Sequence, residues 1–257
     1  MSVVWLADAT AHDRVVFQIG RDDARLIARW AGLGALVTTR DGARWSWEGE
    51  PGADPALVEK LHAGALRALL RHLRGEATLH ASAVAARGGA VAFVGDSGAG
   101  KSTLAFTLST SYDFELLSDD CLCIDGSVAL PSERSSWLDA RARAKLALRG
   151  GAEKEAATPA KIAGEPAPLR AIVNLVYDDD VSIRPLRGAA AAGVLGKSLI
   201  RFAIDDAASN RADLDRLADL AQRVPVLELS RPKDFDELAR TCDAVARLAR
   251  ELICDAQ

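Results

Sequence analysis

The amino-acid sequence predicts an α/β fold with a small, mainly β-stranded N-terminal part. Three observations point to this class. Apolar runs typical of strands alternate with helical patterns from residue 79 to residue 253. A glycine-rich loop directly follows one of those runs and precedes a helical segment. The first 50 residues carry short strand-like runs and turns.

The composition argues against two classes of protein, those that bind nucleic acid through bulk positive charge and those that span a membrane. The 257 residues are 49% hydrophobic and 26% charged, which is typical of a globular protein with a substantial core. The net charge of −4 argues against a protein that binds nucleic acid through bulk positive charge. The chain has neither a run of 18 apolar residues nor a signal-peptide pattern. We therefore expect a cytoplasmic protein with no membrane segment.

The four cysteines do not suggest a metal site. They form no C-x-x-C pair and no zinc-type spacing with histidine. Small buried side chains are the simpler interpretation.

The N-terminal region, residues 1–54, is predicted to be a small β-rich unit. One strand is expected over residues 14–19. Two further runs, 35–39 and 44–47, flank Asp41-Gly42, which is a hairpin signal.

A helix is expected to join this region to the main domain. Apolar residues recur at helical intervals from Leu57 to Leu73, after a proline- and glycine-containing break. The pattern predicts a helix over 55–74 and a main domain over 55–257.

The main domain is predicted to open with a strand hairpin, 79–86 and 90–94, whose second strand leads into the glycine loop. A loop-rich stretch is expected over 131–168. The other expected elements are a helix over 101–111, strands over 114–117, 121–124, 128–130, 169–177, 181–186 and 226–229, and helices over 188–203, 211–223 and 235–253.

The glycine loop is the strongest functional signal. Residues 95–102 read Gly-Asp-Ser-Gly-Ala-Gly-Lys-Ser, a complete G-x-x-x-x-G-K-[ST] phosphate-binding loop. The glycines let the backbone curl so that N–H groups point at a phosphate, and the following helix adds its dipole. Lys101 is expected to reach the β- and γ-phosphate oxygens, and the Ser102 hydroxyl to hold Mg²⁺. An incidental glycine-rich turn is the alternative. The predicted nucleotide contacts are Gly95, Asp96, Ser97, Gly98, Ala99, Gly100, Lys101, Ser102 and Thr103.

A pair of carboxylates, Asp119 and Asp120, begins 18 residues after Lys101, where the first strand after the loop helix is expected to end. Ligands of open α/β sheets bind beyond the carboxyl ends of the strands, so the pair should lie beside the loop. One carboxylate can hold Mg²⁺, and the other can accept a proton from an attacking hydroxyl. A solvated pair at a strand end is the alternative.

Weaker signals lie elsewhere. His80, on the strand before the loop, could contact phosphate or support the aspartates, or be structural. The Arg and Lys residues of 131–150 could clamp a phosphate or an acidic substrate, or form a solvated loop. Gly196-Lys197-Ser198 repeats the end of the loop motif without its first glycine, which predicts helix surface. The acidic run 178–180 is most simply a hairpin turn.

Three stretches together resemble the HPr kinase/phosphorylase family: Leu79-His80-Ala81-Ser82-Ala83-Val84, the glycine loop, and Ser118-Asp119-Asp120. The likeness is to its HPr-kinase-like members, some of which phosphorylate a serine of ribosomal peptides (lasso-peptide precursor kinases). Its specific part covers residues 78–125.

The resemblance implies a nucleotide domain of the phosphoenolpyruvate carboxykinase type and an ATP- and Mg²⁺-dependent serine kinase. It implies that Lys101 and Ser102 bind ATP and Mg²⁺. It also implies that the aspartate pair supplies a metal ligand and a base, with His80 at the same site. Asp120 is the preferred base and Asp119 the preferred metal ligand, although these roles could be exchanged.

One departure concerns the Glu-Ile-Arg-Gly-type signature of the family. This chain has Pro131-Ser132-Glu133-Arg134-Ser135-Ser136-Trp137 in that region. Glu133 and Arg134 are the candidates to replace it. The departure predicts a kinase without efficient phosphorolysis and leaves open whether HPr is the acceptor.

The sequence therefore predicts a kinase that phosphorylates a serine of a small protein or peptide, near a chain terminus or in an exposed loop. Two other functions remain open: a nucleotide-binding regulatory module with little turnover, and a small-molecule kinase on the same scaffold. A homo-oligomer is compatible with each of them.

Overall fold

The computed structural model describes residues 3–11, 13–151, 154–202, 204 and 207–254. The strands in these residues are β1 (Val4–Ala11), β2 (Arg14–Arg21), β3 (Arg25–Trp30), β4 (Gly34–Thr39), β5 (Trp45–Gly49), β6 (Thr78–Leu79), β7 (Ser82–Ala86), β8 (Gly89–Val94), β9 (Glu115–Ser118), β10 (Leu122–Asp125), β11 (Val128–Leu130), β12 (Ser136–Leu138), β13 (Glu155–Ala157), β14 (Ala167–Tyr177), β15 (Ser182–Leu186) and β16 (Val226–Arg231). The helices are α1 (Pro55–Leu61), α2 (Arg67–Leu73), α3 (Lys101–Ser111), α4 (Ala140–Lys145), α5 (Ala189–Ser198), α6 (Ala207–Arg223) and α7 (Leu238–Cys254), with a π-helical turn, His62–Leu66, between the first two. The chain is therefore a mixed α/β protein, as predicted.

Contacts divide the chain into two compact units. The first comprises Met1–Thr78 with Ile200–Leu214, and the second comprises Leu79–Leu199 with Asp215–Gln257. None of the described helices is both long and apolar enough to cross a membrane.

The first unit contains a five-stranded antiparallel sheet in which every strand pairs with its neighbour in sequence, from β1 to β5. The predicted hairpin is present: β4 and β5 pair across the turn, where Gly42 has a φ of +66°. Such a positive φ suits glycine, which has no Cβ to clash with the backbone.

The helical segment after this sheet belongs to the first unit. Its apolar face contributes Leu61, Leu66 and Leu69 to a core cluster with Ile19 and Leu36 of the sheet. We expected the segment to begin the main domain at residue 55. The segment instead belongs to the first unit, whose N-terminal stretch runs to Thr78, because this apolar face is covered by the N-terminal sheet.

The second unit contains a nine-stranded mixed sheet. Its main path runs β6-β10-β11-β14-β8-β7-β9, and β16 pairs with both β14 and β15. Strands β8 and β16 are each parallel to β14. Because β7 is antiparallel to both β8 and β9, β9 runs in the same direction as β8. Four strands, β8, β9, β14 and β16, therefore end at one edge of the sheet.

Both faces of this sheet are buried. Along β8, Val91 and Phe93 join a cluster with residues of α3 and α7, and Ala92 and Val94 join a second cluster with residues of α5 and α6. This alternation follows the two-residue period of a strand. A strand covered on both sides reads as a continuous apolar run, which is why the sequence revealed it.

Two predicted details of this unit are wrong. His80 lies between β6 and β7 and not on a strand. Residues 178–180 do not close a hairpin, because β15 pairs with β16 and not with β14. The edge of β14 is already occupied by the parallel strand β16, which comes later in the chain. The 131–168 stretch is also more ordered than expected, since it contains β12, α4 and β13.

The cysteines behave as predicted where the structure describes them. The side chains of Cys121, Cys123 and Cys242 are buried. The side chain of Cys254 lies outside the described residues.

Truncating the core of the first unit should lower its stability. Leu36 is fully buried, so Leu36→Ala should reduce the free energy of unfolding by about 2–5 kcal/mol. Urea unfolding followed by tryptophan fluorescence would measure this, because four of the five tryptophans lie in this unit. The matched control is Leu57→Ala, where the leucine is 38% exposed and the expected loss is below about 1 kcal/mol. Equal losses in the two variants would contradict the assigned core.

Candidate active site

The predicted site residues meet where strands β8, β9, β14 and β16 end. The glycine loop follows β8, the aspartate pair follows β9, and Tyr177 and Arg231 are the last residues of β14 and β16. Strand β7, which runs the opposite way, begins there with Ser82. A cavity of about 240 Å³ opens at this edge. The residues lining it are His80, Ser82, Ser97, Gly98, Gly100, Lys101, Ser102, Thr103, Asp120, Trp137, Leu138, Asp139, Arg141, Lys154, Tyr177, Arg231, Lys233, Asp234, Phe235 and Leu238.

The glycine loop is held in a curled conformation. Gly95, Gly98 and Gly100 have φ values of +136°, +81° and +82°. The buried Lys101 ammonium donates to the carbonyl oxygens of Gly95, at 2.9 Å, and Asp96, at 3.3 Å. The first-turn N–H groups of an α-helix lack intrahelical acceptors, and no side chain caps those of α3. Such an open helix terminus at a cavity suits a phosphate.

Asp119 is the buried member of the aspartate pair, at 3% exposure. It accepts hydrogen bonds from the Ser82 hydroxyl, at 2.5 Å, and from the Trp137 N–H, at 3.3 Å. Burial raises its pKa to about 6, and these bonds and one with Ser102 oppose the rise. A carboxylate in this state favours a nearby cation, because a cation offsets the cost of desolvating its charge.

Asp120 has a different environment from its neighbour. Its side chain is 49% exposed, and its Oδ1 lies 3.1 Å from Nδ1 of His80. The same ring nitrogen lies 3.2 Å from the Asp120 carbonyl oxygen. Asp120 has a φ of +87°, a strained backbone conformation for a residue with a side chain. Such strain is concentrated at functional sites, where the surrounding structure maintains it.

Glu133 supports the aspartate pair from behind. Its Oε2 accepts from the Asp119 N–H at 3.2 Å, from the Ser118 hydroxyl at 3.3 Å and from the Ser132 hydroxyl at 2.5 Å. Burial raises the pKa of Glu133 to about 7, and the charges of both aspartates add to the rise. Arg134, the other candidate for the missing signature, is exposed and is not among the residues that line the cavity.

The donors suit Mg²⁺ as well as a phosphate. The Ser102 hydroxyl lies close enough to the Asp119 carboxylate to oppose the rise in its pKa, so both oxygens lie beside the loop. Mg²⁺ in phosphate sites takes one or two protein oxygens and completes its shell with phosphate and water. Within the described ranges, no three His, Cys, Asp or Glu side chains gather into a metal-binding group. Ser102 and Asp119 are therefore the residues that could hold the ion.

Of the other predicted groups, some line the cavity and others do not. Of the cations in 131–150, Arg141 lines the cavity, whereas Arg143 and Lys145 form ion pairs with Glu155 and Asp236. The repeated Gly-Lys-Ser lies at the end of α5, with its Gly and Lys exposed, as predicted.

Sequence reasoning missed four groups that the structure brings to the site: the side chains of Tyr177, Arg231 and Lys233 and the backbone N–H of Trp137. Tyr177 and Arg231 end strands parallel to β8, and Lys233 lies two residues beyond. The strand-end rule that located the aspartates would have found the first two, had the parallel direction of β14 and β16 been known. Trp137 contributes through its backbone N–H, for which no residue-type signal exists.

The chain matches no protein-family model, and a search of curated proteins finds no similar sequence.

The two buried carboxyls should make stability fall as pH rises. Their pKa values, about 6 for Asp119 and about 7 for Glu133, lie above the ordinary 3.8 and 4.5. The folded chain therefore binds these protons more tightly than the unfolded chain, and this stabilisation is lost as pH rises through the folded values. For Asp119 the effect is at most about 3 kcal/mol.

The measurement is urea unfolding of the ligand-free protein at pH 5 and pH 8, compared with Asp119→Asn. The wild type should lose more stability between these pH values than the variant. An identical pH dependence in both proteins would contradict the buried, protonatable state of Asp119.

Proposed function

We propose that the second unit is a P-loop kinase of the HPr-kinase-like type, which transfers a phosphoryl group from Mg-ATP to a serine hydroxyl. The observation that carries this proposal is the unequal aspartate pair beside the loop. Asp119 is buried against Ser102, and Asp120 lines the cavity with a half-exposed carboxylate. Metal binding and proton acceptance need these two different environments.

The fold around the loop is consistent with the proposed family. A hairpin, β7 and β8, leads into the glycine loop within a mixed sheet, as the resemblance to the phosphoenolpyruvate carboxykinase-type nucleotide domain implies. His80 contacts Asp120, the neighbour of Asp119, although it precedes Asp119 and Asp120 by 39 and 40 positions in the sequence. The proposed kinase fold rests on this arrangement together with the sequence motif.

Nucleotide binding would use the glycine loop and the Lys101 ammonium. The Lys101 ammonium, which donates to two loop carbonyls, can turn to the β- and γ-phosphate oxygens. Its pKa is lowered by burial, an effect that the nearby charges of Asp120 and Asp119 oppose. Bound phosphates would also oppose the lowering of the Lys101 pKa and keep the ammonium charged.

Ser102 and Asp119 would hold Mg²⁺, which supplies charge neutralisation of the phosphates. The Ser82 hydroxyl and the Trp137 N–H orient the Asp119 carboxylate from the protein side. Glu133 holds the Asp119 backbone in place. These contacts fix the carboxylate before any ligand arrives, which is the condition for precise placement.

Asp120 would act as the general base. The acceptor serine gives its hydroxyl proton to the Asp120 carboxylate while its Oγ forms a bond to the γ-phosphorus. The bond from that phosphorus to the bridging oxygen breaks, and ADP leaves with the electron pair. His80 lies 3.1 Å from Asp120 and orients the carboxylate.

The acceptor would be a flexible segment of a small protein or peptide. Its serine must come within about 3 Å of both the Asp120 carboxylate and the γ-phosphorus. A chain terminus or an exposed loop meets this condition more easily than a serine inside a helix.

Nucleotide affinity should depend on Lys101. Lys101→Ala removes a charge-assisted contact of about 1.5–3 kcal/mol, so Mg-ATP affinity should fall at least about tenfold. Isothermal titration calorimetry measures this directly. Lys197→Ala is the matched control, because Lys197 belongs to the exposed second Gly-Lys-Ser in α5. Unchanged affinity in Lys101→Ala would refute the phosphate-loop assignment.

Phosphoryl-transfer assays should distinguish the roles of Asp119 and Asp120. Asp120→Asn keeps the shape but removes the proton acceptor, so transfer should fall about a hundredfold or more while Mg-ATP still binds. Asp119→Asn should instead weaken the dependence on Mg²⁺. The measurement is transfer of label from γ-labelled ATP to a lasso-type precursor peptide and, separately, to an HPr protein.

A regulatory nucleotide-binding module would need Lys101 but not Asp120. If Asp120→Asn transferred phosphoryl groups as fast as the wild type, the assignment of Asp120 as the base would be wrong. Labelling of neither acceptor, with steady ATP hydrolysis, would count against the proposed acceptor class.

A further inference from the structure

Arg231 is a buried charged group that the proposed reaction does not use. It ends β16, is 6% exposed and lines the cavity. One terminal nitrogen donates to the Ala99 carbonyl at 2.6 Å. Within the described part of the chain, its Nε has no hydrogen-bond partner and no carboxylate forms an ion pair with it. A buried guanidinium without an anion is costly, which indicates a role at the site.

Tyr177 makes the companion contact from the adjacent strand. It is the residue of β14 that pairs with Arg231 in the parallel register. Its hydroxyl donates to the Gly98 carbonyl at 2.8 Å, and the Arg231 guanidinium lies 5.0 Å from the centre of its ring. Two consecutive loop carbonyls are thus held by two stacked side chains at the ends of neighbouring strands.

Holding these carbonyls determines where the loop N–H groups point. In a trans peptide, the carbonyl oxygen and the following N–H lie on opposite sides. The bond from Arg231 to the Ala99 oxygen therefore turns the Gly100 N–H away from the guanidinium. The same arrangement requires glycine at position 100, because a Cβ there would collide with the Arg231 guanidinium and the φ is +82°.

We propose that Arg231 is a positioning residue, which, with Tyr177, holds the glycine loop in its phosphate-binding conformation before nucleotide arrives. This inference rests on the proposed function, because it assigns the loop to phosphate. A loop that is already ordered in the folded protein loses little conformational entropy when it binds a ligand. Its affinity is therefore higher than that of a loop that must become ordered on binding. The uncompensated charge of Arg231 adds to the attraction for phosphates, and bound phosphates would supply the anion that it lacks.

The role predicts a particular pattern of affinities. Arg231 acts through the loop, which contacts the phosphates common to ATP and ADP. Arg231→Met should therefore weaken Mg-ATP and Mg-ADP to a similar extent, at least tenfold each. Arg231→Lys should recover part of the loss, because an ammonium can still donate to a carbonyl. Tyr177→Phe, which keeps the ring and removes one hydrogen bond, should lose a few-fold.

The experiment is calorimetric titration of the full chain with Mg-ATP and Mg-ADP, well below the unfolding temperature of each variant. The control is Arg184→Met, which removes an arginine of the neighbouring strand β15 that pairs with Glu228, away from the cavity. Its nucleotide affinities should equal those of the wild type. Thermal unfolding of each variant establishes that the titrated protein is folded.

Three results would overturn the inference. A variant with a lower melting temperature but unchanged affinities would make Arg231 merely structural. Loss of ATP affinity with ADP affinity preserved would mean direct contact with the terminal phosphate. A wild-type protein that binds neither nucleotide would overturn the proposed function, and this inference with it, before any variant is compared.

Discussion

The common direction of four strands is the constraint on which the candidate site depends. Because β8, β9, β14 and β16 run the same way, their last residues meet at one edge of the sheet. The glycine loop, the aspartate pair, Tyr177 and Arg231 come from these ends and are separated by up to 136 positions, from Gly95 to Arg231. Burial of both faces holds the strands in register. The loops at the edge can then be placed precisely on a rigid support.

Charge burial is the second organising feature of the site. Two acids, Asp119 and Glu133, and two cations, Lys101 and Arg231, are all less than a tenth exposed. Burial raises the pKa of each acid and lowers that of each cation, so each group is held less readily in its charged form than in water. A bound polyphosphate with its metal would supply opposite charges to both kinds of group. Ligand binding would thereby offset a cost that the folded protein carries on its own.

Local sequence patterns were sufficient for much of the second unit. The glycine loop, the helix after it and the buried strand before it appear in the structure at the expected positions. These features depend on residues close together in the chain: glycines at positive φ, a helical segment, and an apolar run covered on both faces. The aspartate pair was also located correctly, because its position relative to a strand end follows from the same short segment.

The sequence by itself determined the glycine loop, the strand before it, the helix after it and the position of the aspartate pair. Only the tertiary structure decided which strands became neighbours. Strand β16 lies between β14 and β15, which turned an expected hairpin into two separate pairings and brought Arg231 to the loop. It also decided that the helix over Pro55–Leu73 packs on the N-terminal sheet. It also decided that Asp119 is buried and Asp120 half-exposed, although the two residues are identical in type and adjacent in sequence. These outcomes depend on contacts between distant segments, whose strength comes from packing and desolvation that no local pattern encodes.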